Sequence, residues 1–454
     1  MPSRSPDPHP ALPIDPSWPS LPRQPVASRV RLHGWRHPAI LSAALLAVAA
    51  GFAQFVATAA LSDVAAAFGE TGPGGSITEQ VGLNLTTLGL GLAVIRLASL
   101  ASMPLAALAD RVGRRRVILS CCLGGLALTV LAAFSPTFWW FVVIFAVGRP
   151  LLSATNTLAV VIAAEQTQTA DRAKAIALLA AAYGVGAGIA TLARGIWGLG
   201  FRPLFALAAV PLVLVAVTGR RVEEPDRYAR LSDPDAAVTT AIARPGRVPA
   251  ALRSRLALLA GLGFFAFGFV MGPVTTLLFL YSESVLGLSK ATTSLVVLCA
   301  APIGLGGLLA GRWAADTLGR IPTAIAAHTV AAIAGAVTYT GGAGGAIGGY
   351  LVSLFAQSAF GTAVGALSTE LFPTSSRGTA AGWLNAAGVL GAVLGLLTFG
   401  LLVDAFGSFG PAALAVAIPV ALAGFGYLRL PETRSLDLED FAPDSVLEKP
   451  MSTS

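Results

Sequence analysis

The sequence predicts an all-α integral membrane protein with twelve transmembrane helices in two pseudo-symmetric six-helix halves. Three observations predict this fold: the composition, a series of long apolar segments, and a repeat of two polar motifs. Of the 454 residues, 55% are hydrophobic and 12% are charged. A soluble domain carries about 25% charged residues. With so few charged residues, the protein surface must be largely apolar and therefore in contact with lipid. This composition excludes a large soluble helical protein.

Apolar segments of about 20 residues, the length that spans a bilayer as a helix, recur along the whole chain. They are continuous and do not alternate with polar residues, so they predict helices and not the strands of a membrane barrel. The predicted spans are 38–61, 80–104, 116–134, 138–163, 174–199, 201–218, 255–281, 291–311, 321–340, 346–368, 378–404 and 408–430.

The segments outside the spans are polar. Residues 1–37 begin "MPSRSPDPHPALPIDPSWPSLPRQP", with nine prolines in 25 residues, and this composition predicts a disordered cytoplasmic tail. The segment lacks the apolar core of a cleavable signal peptide, so the first span is expected to direct insertion. A cytoplasmic linker is predicted over 219–254, where four prolines argue against one uninterrupted helix. Residues 431–454 form a second cytoplasmic tail.

The basic residues predict the orientation. With the N-terminus inside, 25 of the 30 lysines and arginines fall in the tails and the cytoplasmic loops, as the positive-inside rule requires. We therefore expect a multi-pass protein of the cell (plasma) membrane with both termini cytoplasmic. The net charge of +7 then reflects a membrane face and does not indicate nucleic-acid binding.

Two motifs repeat at nearly one offset. "LADRVGRRRVIL" (108–119) has a weaker copy in "AADTLGRIPTA" (314–324), with matching residues 206 positions apart. "EQTQTADR" (165–172) matches "ELFPTSSR" (370–377) at an offset of 205. The repeat predicts an N-terminal half, 38–218, and a C-terminal half, 255–430.

These motifs resemble those of the major facilitator superfamily: the D-R-x-G-R-R loop, the arginine in "VGRPLLSA", and the two E-x6-R pairs. The E-x6-R pairs, "GFRPLF" and "LPETRSLDLE" are most similar to the sugar and metabolite porter branch. The sequence departs from the family pattern at Ala106, Arg312 and Ser153, where glycine is usual. The resemblance implies two halves with a substrate site between them at the membrane midplane.

The repeated loops are expected to form a cytoplasmic gate. The resemblance implies that Asp110 faces the positive end of helix 11 in the opposite half. Arg114 can reach Glu165, as Arg320 can reach Glu370, and we expect these contacts only when the cytoplasmic side is closed, as a latch between the halves. The alternative is that the arginines merely hold the loops inside. The predicted latch residues are Asp110, Arg111, Gly113, Arg114, Glu165, Arg172, Asp316, Gly319, Arg320, Glu370 and Arg377.

The substrate site is expected around Arg149, roughly 16 Å into helix 4 by the 1.5 Å rise per residue. Ionisable residues at that depth are costly and usually functional. Arg96 is expected to reach the inner face and Arg194 the outer face. No carboxylate lies at mid-depth in the sequence, which argues against proton symport and favours facilitated diffusion or an anionic substrate. The further candidates for substrate binding or coupling are Gln54, Asn156, Trp383 and Asn385.

The predicted function is a secondary-type transporter that moves a small polar solute, sugar-like or an organic-anion metabolite, by alternating access. The alternative is a drug or metabolite efflux carrier of the same superfamily, possibly proton-coupled. The sequence carries no nucleophile, acid–base or metal constellation of an enzyme, so we expect no catalysis, cofactor or metal. The expected partners are the solute and the bilayer, around a monomer.

Overall fold

The computed structural model describes residues 34–70, 72, 75–168, 171–219, 222, 224 and 248–434, except for the side chains of residues 110, 267, 374 and 375. The predicted tail thus lies outside the described residues up to residue 33, as do most of the linker and the second tail from residue 435. The described chain is all-α, and twelve of its helices are long and apolar enough to cross a membrane. They are α1 (Pro38–Ala59), α2 (Leu85–Ala109), α3 (Arg114–Ala132), α4 (Phe138–Gln166), α5 (Arg172–Trp197), α6 (Phe201–Thr218), α7 (Ala250–Val285), α8 (Lys290–Thr317), α9 (Arg320–Thr340), α10 (Gly342–Glu370), α11 (Ser376–Phe406) and α12 (Phe409–Arg429).

The twelve predicted spans are confirmed, with boundaries that differ by up to six residues, at the end of α8; the start of α2 differs by five. Residues predicted as its first turn form a separate short helix, Ile77–Val81, which Ser76 and Glu79 begin with a capping box. Gly82 ends it with a φ of 97°. Asn84 then caps α2 by accepting the backbone N–H of Thr87 at 2.8 Å, so local capping overrides the apolar pattern here.

An even number of spans places both ends of the described chain on one membrane face, which we call the terminal side; the opposite face is the far side. We call α1–α6 the N-half and α7–α12 the C-half. The two sets pack together where α2 lies against α11, α5 against α8, and α1 against α7. The lipid-facing surface is apolar, with side chains such as Phe134, Ile196 and Val213 more than 60% exposed.

Glycines allow some helix pairs to approach closely. A Cβ at Gly186 of α5 would lie 2.0 Å from the carbonyl oxygen of Val48 in α1. One at Gly395 of α11 would lie 1.8 Å from that of Gly268 in α7. These two glycines therefore serve close packing, as small residues do between membrane helices.

Helix α7 contains two π-helical segments, Ala266–Met271 and Tyr281–Val285. A π turn changes which side of the helix the following residues occupy. The second segment carries Glu283 at the far end of α7, where it faces the N-half.

Candidate functional site

A cavity of about 530 Å³ lies between the two halves. Its lining reaches Ser368, two residues before α10 ends on the terminal side, so the cavity opens toward that face. Its polar lining comes from both halves: Arg96, Ser99, Arg149 and Ser153 from the N-half, and Thr275, Gln357, Ser368 and Asn385 from the C-half. The remaining lining residues are apolar or glycine, and none of the lining residues is a carboxylate.

Arg149 lies in this cavity, on α4. Its Nη1 donates to the backbone carbonyl of Gln54 in α1 at 3.2 Å. Its Nε is buried and has no hydrogen-bond partner among the described residues. The nearest carboxylate along the same helix, Glu165, is sixteen residues away, roughly 24 Å at 1.5 Å per residue. Arg149 thus keeps donor capacity at the cavity wall.

Arg96 of α2 lines the same cavity, and the expectation that it reaches toward the inner face is wrong. The helix continues as a 3₁₀ segment at Ser99–Ala101, which begins three residues after Arg96. The Arg96 Nη2 donates across the interface to the Thr276 hydroxyl of α7 at 3.2 Å. The guanidinium groups of Arg96 and Arg149 interact electrostatically with each other, so the cavity wall carries two neighbouring cations.

The other predicted substrate contacts are only partly brought together. Asn385 lines the cavity with Arg149. Gln54 contributes its backbone carbonyl, but its buried side chain is not part of the lining, and neither is Asn156. Trp383 is 63% exposed and also lies outside the lining. Arg96 was missed because a depth count gives no information on which way a side chain faces.

A cluster of four charged side chains closes the far side. Arg194 of α5 is fully buried and pairs with Asp63, at 2.8 Å, and with Glu283 of α7. Lys290 of α8 pairs with Asp63 at 2.6 Å, and the Ser62 hydroxyl donates to Glu283 at 2.7 Å. The expectation that Arg194 reaches the outer face is therefore wrong: two carboxylates satisfy it inside the protein, Asp63 within the N-half and Glu283 across the interface between the halves.

Asp404 makes a second contact between the halves on the far side. Its carboxylate, at the end of α11, accepts the backbone N–H groups of Leu85 and Thr86, at 2.9 and 2.7 Å. These are the first two residues of α2, where unpaired N–H groups and the helix dipole favour an anion. The C-half thus caps a helix of the N-half.

On the terminal side, each half carries its own copy of one arrangement. Arg114 pairs with Glu165, while the Glu224 carboxylate accepts the backbone N–H groups of Arg114 and Arg115 at 2.6 and 3.0 Å. Gly113 precedes α3 with a φ of 113°. A Cβ there would lie 3.3 Å from the Glu224 carboxylate, and the backbone conformation itself favours glycine.

The C-half copy has the same parts. Arg320 pairs with Glu370 at 3.2 Å, and Glu432 accepts the backbone N–H groups of Arg320 and Ile321, each at 2.9 Å. Gly319 has a φ of 119°. Burial raises the pKa of Glu432, but four backbone N–H groups outweigh it and hold the pKa below its usual value.

The predicted contacts Arg114–Glu165 and Arg320–Glu370 are present. The prediction that they join the two halves is wrong. Each lies within one half and coexists with a cavity open to the terminal side. The remaining predicted latch residues differ in their surroundings. Asp316 is half exposed and pairs with Arg320 at 3.2 Å; Arg111 is exposed. Arg172 and Arg377 have no ion pair with another described residue, and the Asp110 side chain lies outside the described part.

Comparison with known proteins agrees with this architecture. The sequence model described as "Major Facilitator Superfamily" matches residues 43–356, and the one described as "Sugar (and other) transporter" matches residues 340–444. Among curated proteins, none matches the sequence.

Several solved structures share the fold at low sequence identity. The xylose transporter XylE from E. coli, in an inward-open conformation, is 18% identical with a TM-score of 0.68, over 88% of this chain and 98% of that one. A bacterial homolog of the human lysosomal transporter Spinster, inward-facing and unoccupied, is 18% identical with a TM-score of 0.64, covering 87% and 96%. The human organic anion transporter MFSD10 is 18% identical with a TM-score of 0.59, covering 86% and 99%.

Proposed function

This chain belongs to the major facilitator superfamily, and on that premise we propose that it is a secondary transporter of a small polar solute, sugar-like or an organic anion. The family and the fold are those of transporters. We propose that it works by alternating access, with the cavity exposed to one membrane face at a time.

One observation carries the proposal: the central cavity is closed on one side and open on the other. On the far side, the Arg194–Glu283 and Lys290–Asp63 pairs join the halves. Toward the terminal side, the lining continues to Ser368. With the termini in the cytoplasm of a plasma-membrane protein, as the basic loops favour, this arrangement corresponds to an inward-facing state of a monomeric carrier.

The volume supports a small solute. Pockets of about 300–1,000 Å³ hold small molecules, and 530 Å³ falls in that range. The mixture of eight polar residues with apolar ones supplies hydrogen bonds for orientation without a dedicated proton-carrying carboxylate. Similar cavities lie between the halves of other carriers with this arrangement.

Uptake into proteoliposomes tests the proposal, with sugars and organic acids offered as labelled solutes. Gly361 of α10 lines the cavity, with open space where a Cβ would be built, so Gly361→Trp should fill the cavity and abolish uptake. Gly348 of the same helix is exposed, has the same open space and is not part of the lining, so Gly348→Trp should transport normally. Equal uptake by both variants, or no uptake of any solute by the well-folded native protein, would refute the proposal.

A further inference from the structure

We infer that the solute is a small organic dianion, bound between the guanidinium groups of Arg96 and Arg149. This inference rests on the proposed transport function and assigns the substrate class of the same cavity. The chemistry in question is a pair of negative charges on a compact body, carried either by two carboxylates or by one phosphate monoester.

The charge balance of the cavity is the first step. Both Arg96 and Arg149 line it, and no carboxylate does. Neither arginine forms an ion pair with any described residue; their hydrogen-bond partners are a neutral hydroxyl and a neutral carbonyl, and both also interact electrostatically with Tyr183 of α5. Both arginines are partly buried at the cavity wall, and a cation held within the membrane region without a counter-ion is unfavourable. Two neighbouring cations are more so, because they repel each other.

The protein itself shows how it neutralises an arginine that serves structure. Arg194 lies fully buried near the far side and has two carboxylates and a serine hydroxyl as partners. Arg149 has one carbonyl, and its buried Nε has no partner among the described residues. Arg96 and Arg149 are therefore left with free charge that Arg194 does not have. A bound anion would supply the negative charge that Arg96 and Arg149 lack.

The geometry of the groups suits acidic oxygens. A guanidinium presents a planar fork of donors that bonds a carboxylate or phosphate in two places. A monoanion would neutralise only one of the two cations, whereas a dianion neutralises both. On the opposite wall, Gln357 and Asn385 of the C-half offer amides to the body of the same solute, so binding would join both halves.

Binding to the purified full-length protein, measured by titration calorimetry, tests the inference with four matched probes. Succinate and butyrate share a four-carbon chain but carry two charges and one; glycerol 3-phosphate supplies the phosphate monoester, and xylose is neutral. We expect succinate or glycerol 3-phosphate to bind at least tenfold more tightly than butyrate and xylose. Whichever of the two dianions binds identifies the acidic group. Tighter binding of xylose or of butyrate would overturn the inference.

The variants locate the site. Arg96→Gln and Arg149→Gln should each lower dianion affinity at least tenfold, toward that of butyrate. Arg36→Gln, which removes an exposed arginine before α1, should leave it unchanged. If a glutamine variant fails to fold, Arg96→Lys and Arg149→Lys keep the charge and should retain the preference for two charges at reduced affinity. Unchanged dianion binding in both folded glutamine variants would also overturn the inference. If a neutral solute is then taken up by the native protein and not by Gly361→Trp, the transport function holds and only the assignment of a dianion fails.

Discussion

Both hydrogen-bond donors of Thr86, its backbone N–H and its hydroxyl, bond the same carboxylate oxygen of Asp404, at 2.7 and 2.6 Å. Thr86 begins α2 on the far side, and Asp404 lies near the end of α11 on that side. The two helices pack together and run in opposite directions. Asp110 lies at the other end of α2, in a helical turn that ends at Val112 on the terminal side, and the family resemblance implies that it faces the start of α11. We therefore expect the two aspartates to hold the halves together in turn, each when its own side of the carrier is closed.

Asp404→Asn should weaken far-side closure, because an amide carries no charge for the helix dipole and has one acceptor oxygen instead of two. Spin labels at Gln80 and Ala291, on exposed far-side positions of opposite halves, should report a larger fraction of long distances by pulsed electron resonance. Asp171→Asn, which removes a carboxylate on the terminal side, should leave the distribution unchanged. An unaltered distribution in Asp404→Asn would show that the cap does not hold the gate.

Asp110→Asn should act in the opposite direction, shifting the protein toward the state open on the terminal side while it stays folded and inserted. The reason is the same loss of a charge that would face the start of α11. Labels at Lys174 and Leu318, exposed on the terminal side of each half, provide the measurement. If a folded Asp110→Asn protein keeps the native distances, Asp110 is not part of a latch, and the loop serves only to hold this end of the helices in the cytoplasm.

Arg194→Gln should destabilise the protein by about 3–5 kcal/mol, because removing one partner of a buried ion pair leaves the other uncompensated. Glu283→Gln in the same protein should recover part of this loss, since Glu283 is left without a cation whereas Asp63 keeps Lys290. The free energy of unfolding in detergent checks both. Arg202→Gln is the matched control: it removes a far-side arginine that bonds only backbone carbonyls. Strictly additive effects of Arg194→Gln and Glu283→Gln would contradict coupling within the cluster.

Transport should respond little to an imposed pH gradient, because no carboxylate lines the cavity to carry a proton between the two sides. We expect initial uptake into proteoliposomes to change less than about twofold when one pH unit is imposed in either direction between pH 7 and 8. Accumulation driven by the gradient would show that a proton is carried with the solute, through a group outside the cavity.

The cap that Glu432 provides to α9 should depend on pH. The pKa of Glu432 is lower in the folded protein than its ordinary value of 4.5, so its stabilisation is complete above that value. It is lost as the pH falls through the folded-state pKa. The melting temperature of Glu432→Gln should thus lie below that of the native protein by a constant amount from pH 6 to 8. The difference should shrink on acidification below about pH 4.5, and a difference that grows there would reverse the assignment.

The membrane architecture was predictable because apolar length and basic loops depend only on residue order. The twelve spans follow from such local signals, whereas the Arg114–Glu165 and Arg320–Glu370 pairs were expected from the repeated motifs. The caps by Glu224 and Glu432 were missed, although the two glutamates lie 208 residues apart, close to the offset of the other repeated motifs. That spacing was a readable signal.

The candidate site was harder to predict because it depends on which way side chains face. Arg96 and Arg194 were both expected to extend to a membrane face, since depth alone suggested it. Instead, Arg96 bonds Thr276 across the interface, and Glu283, which lies in a π segment, pairs with Arg194. A π segment changes which residues of a helix face a neighbour, and a regular period of 3.6 residues does not predict it.

The composition of the far-side cluster bears on how the carrier senses voltage. When the halves separate there, the N-half keeps Asp63 and Arg194, while the C-half keeps Glu283 and Lys290. Each half therefore retains one cation and one anion, and opening this gate moves no net charge. Moving one elementary charge across the membrane changes the free energy by about 2.3 kcal/mol per 100 mV. Because opening this gate moves no net charge, the membrane potential does not change its free energy. Any electrogenic behaviour must then arise at the two cavity arginines and from the solute they carry.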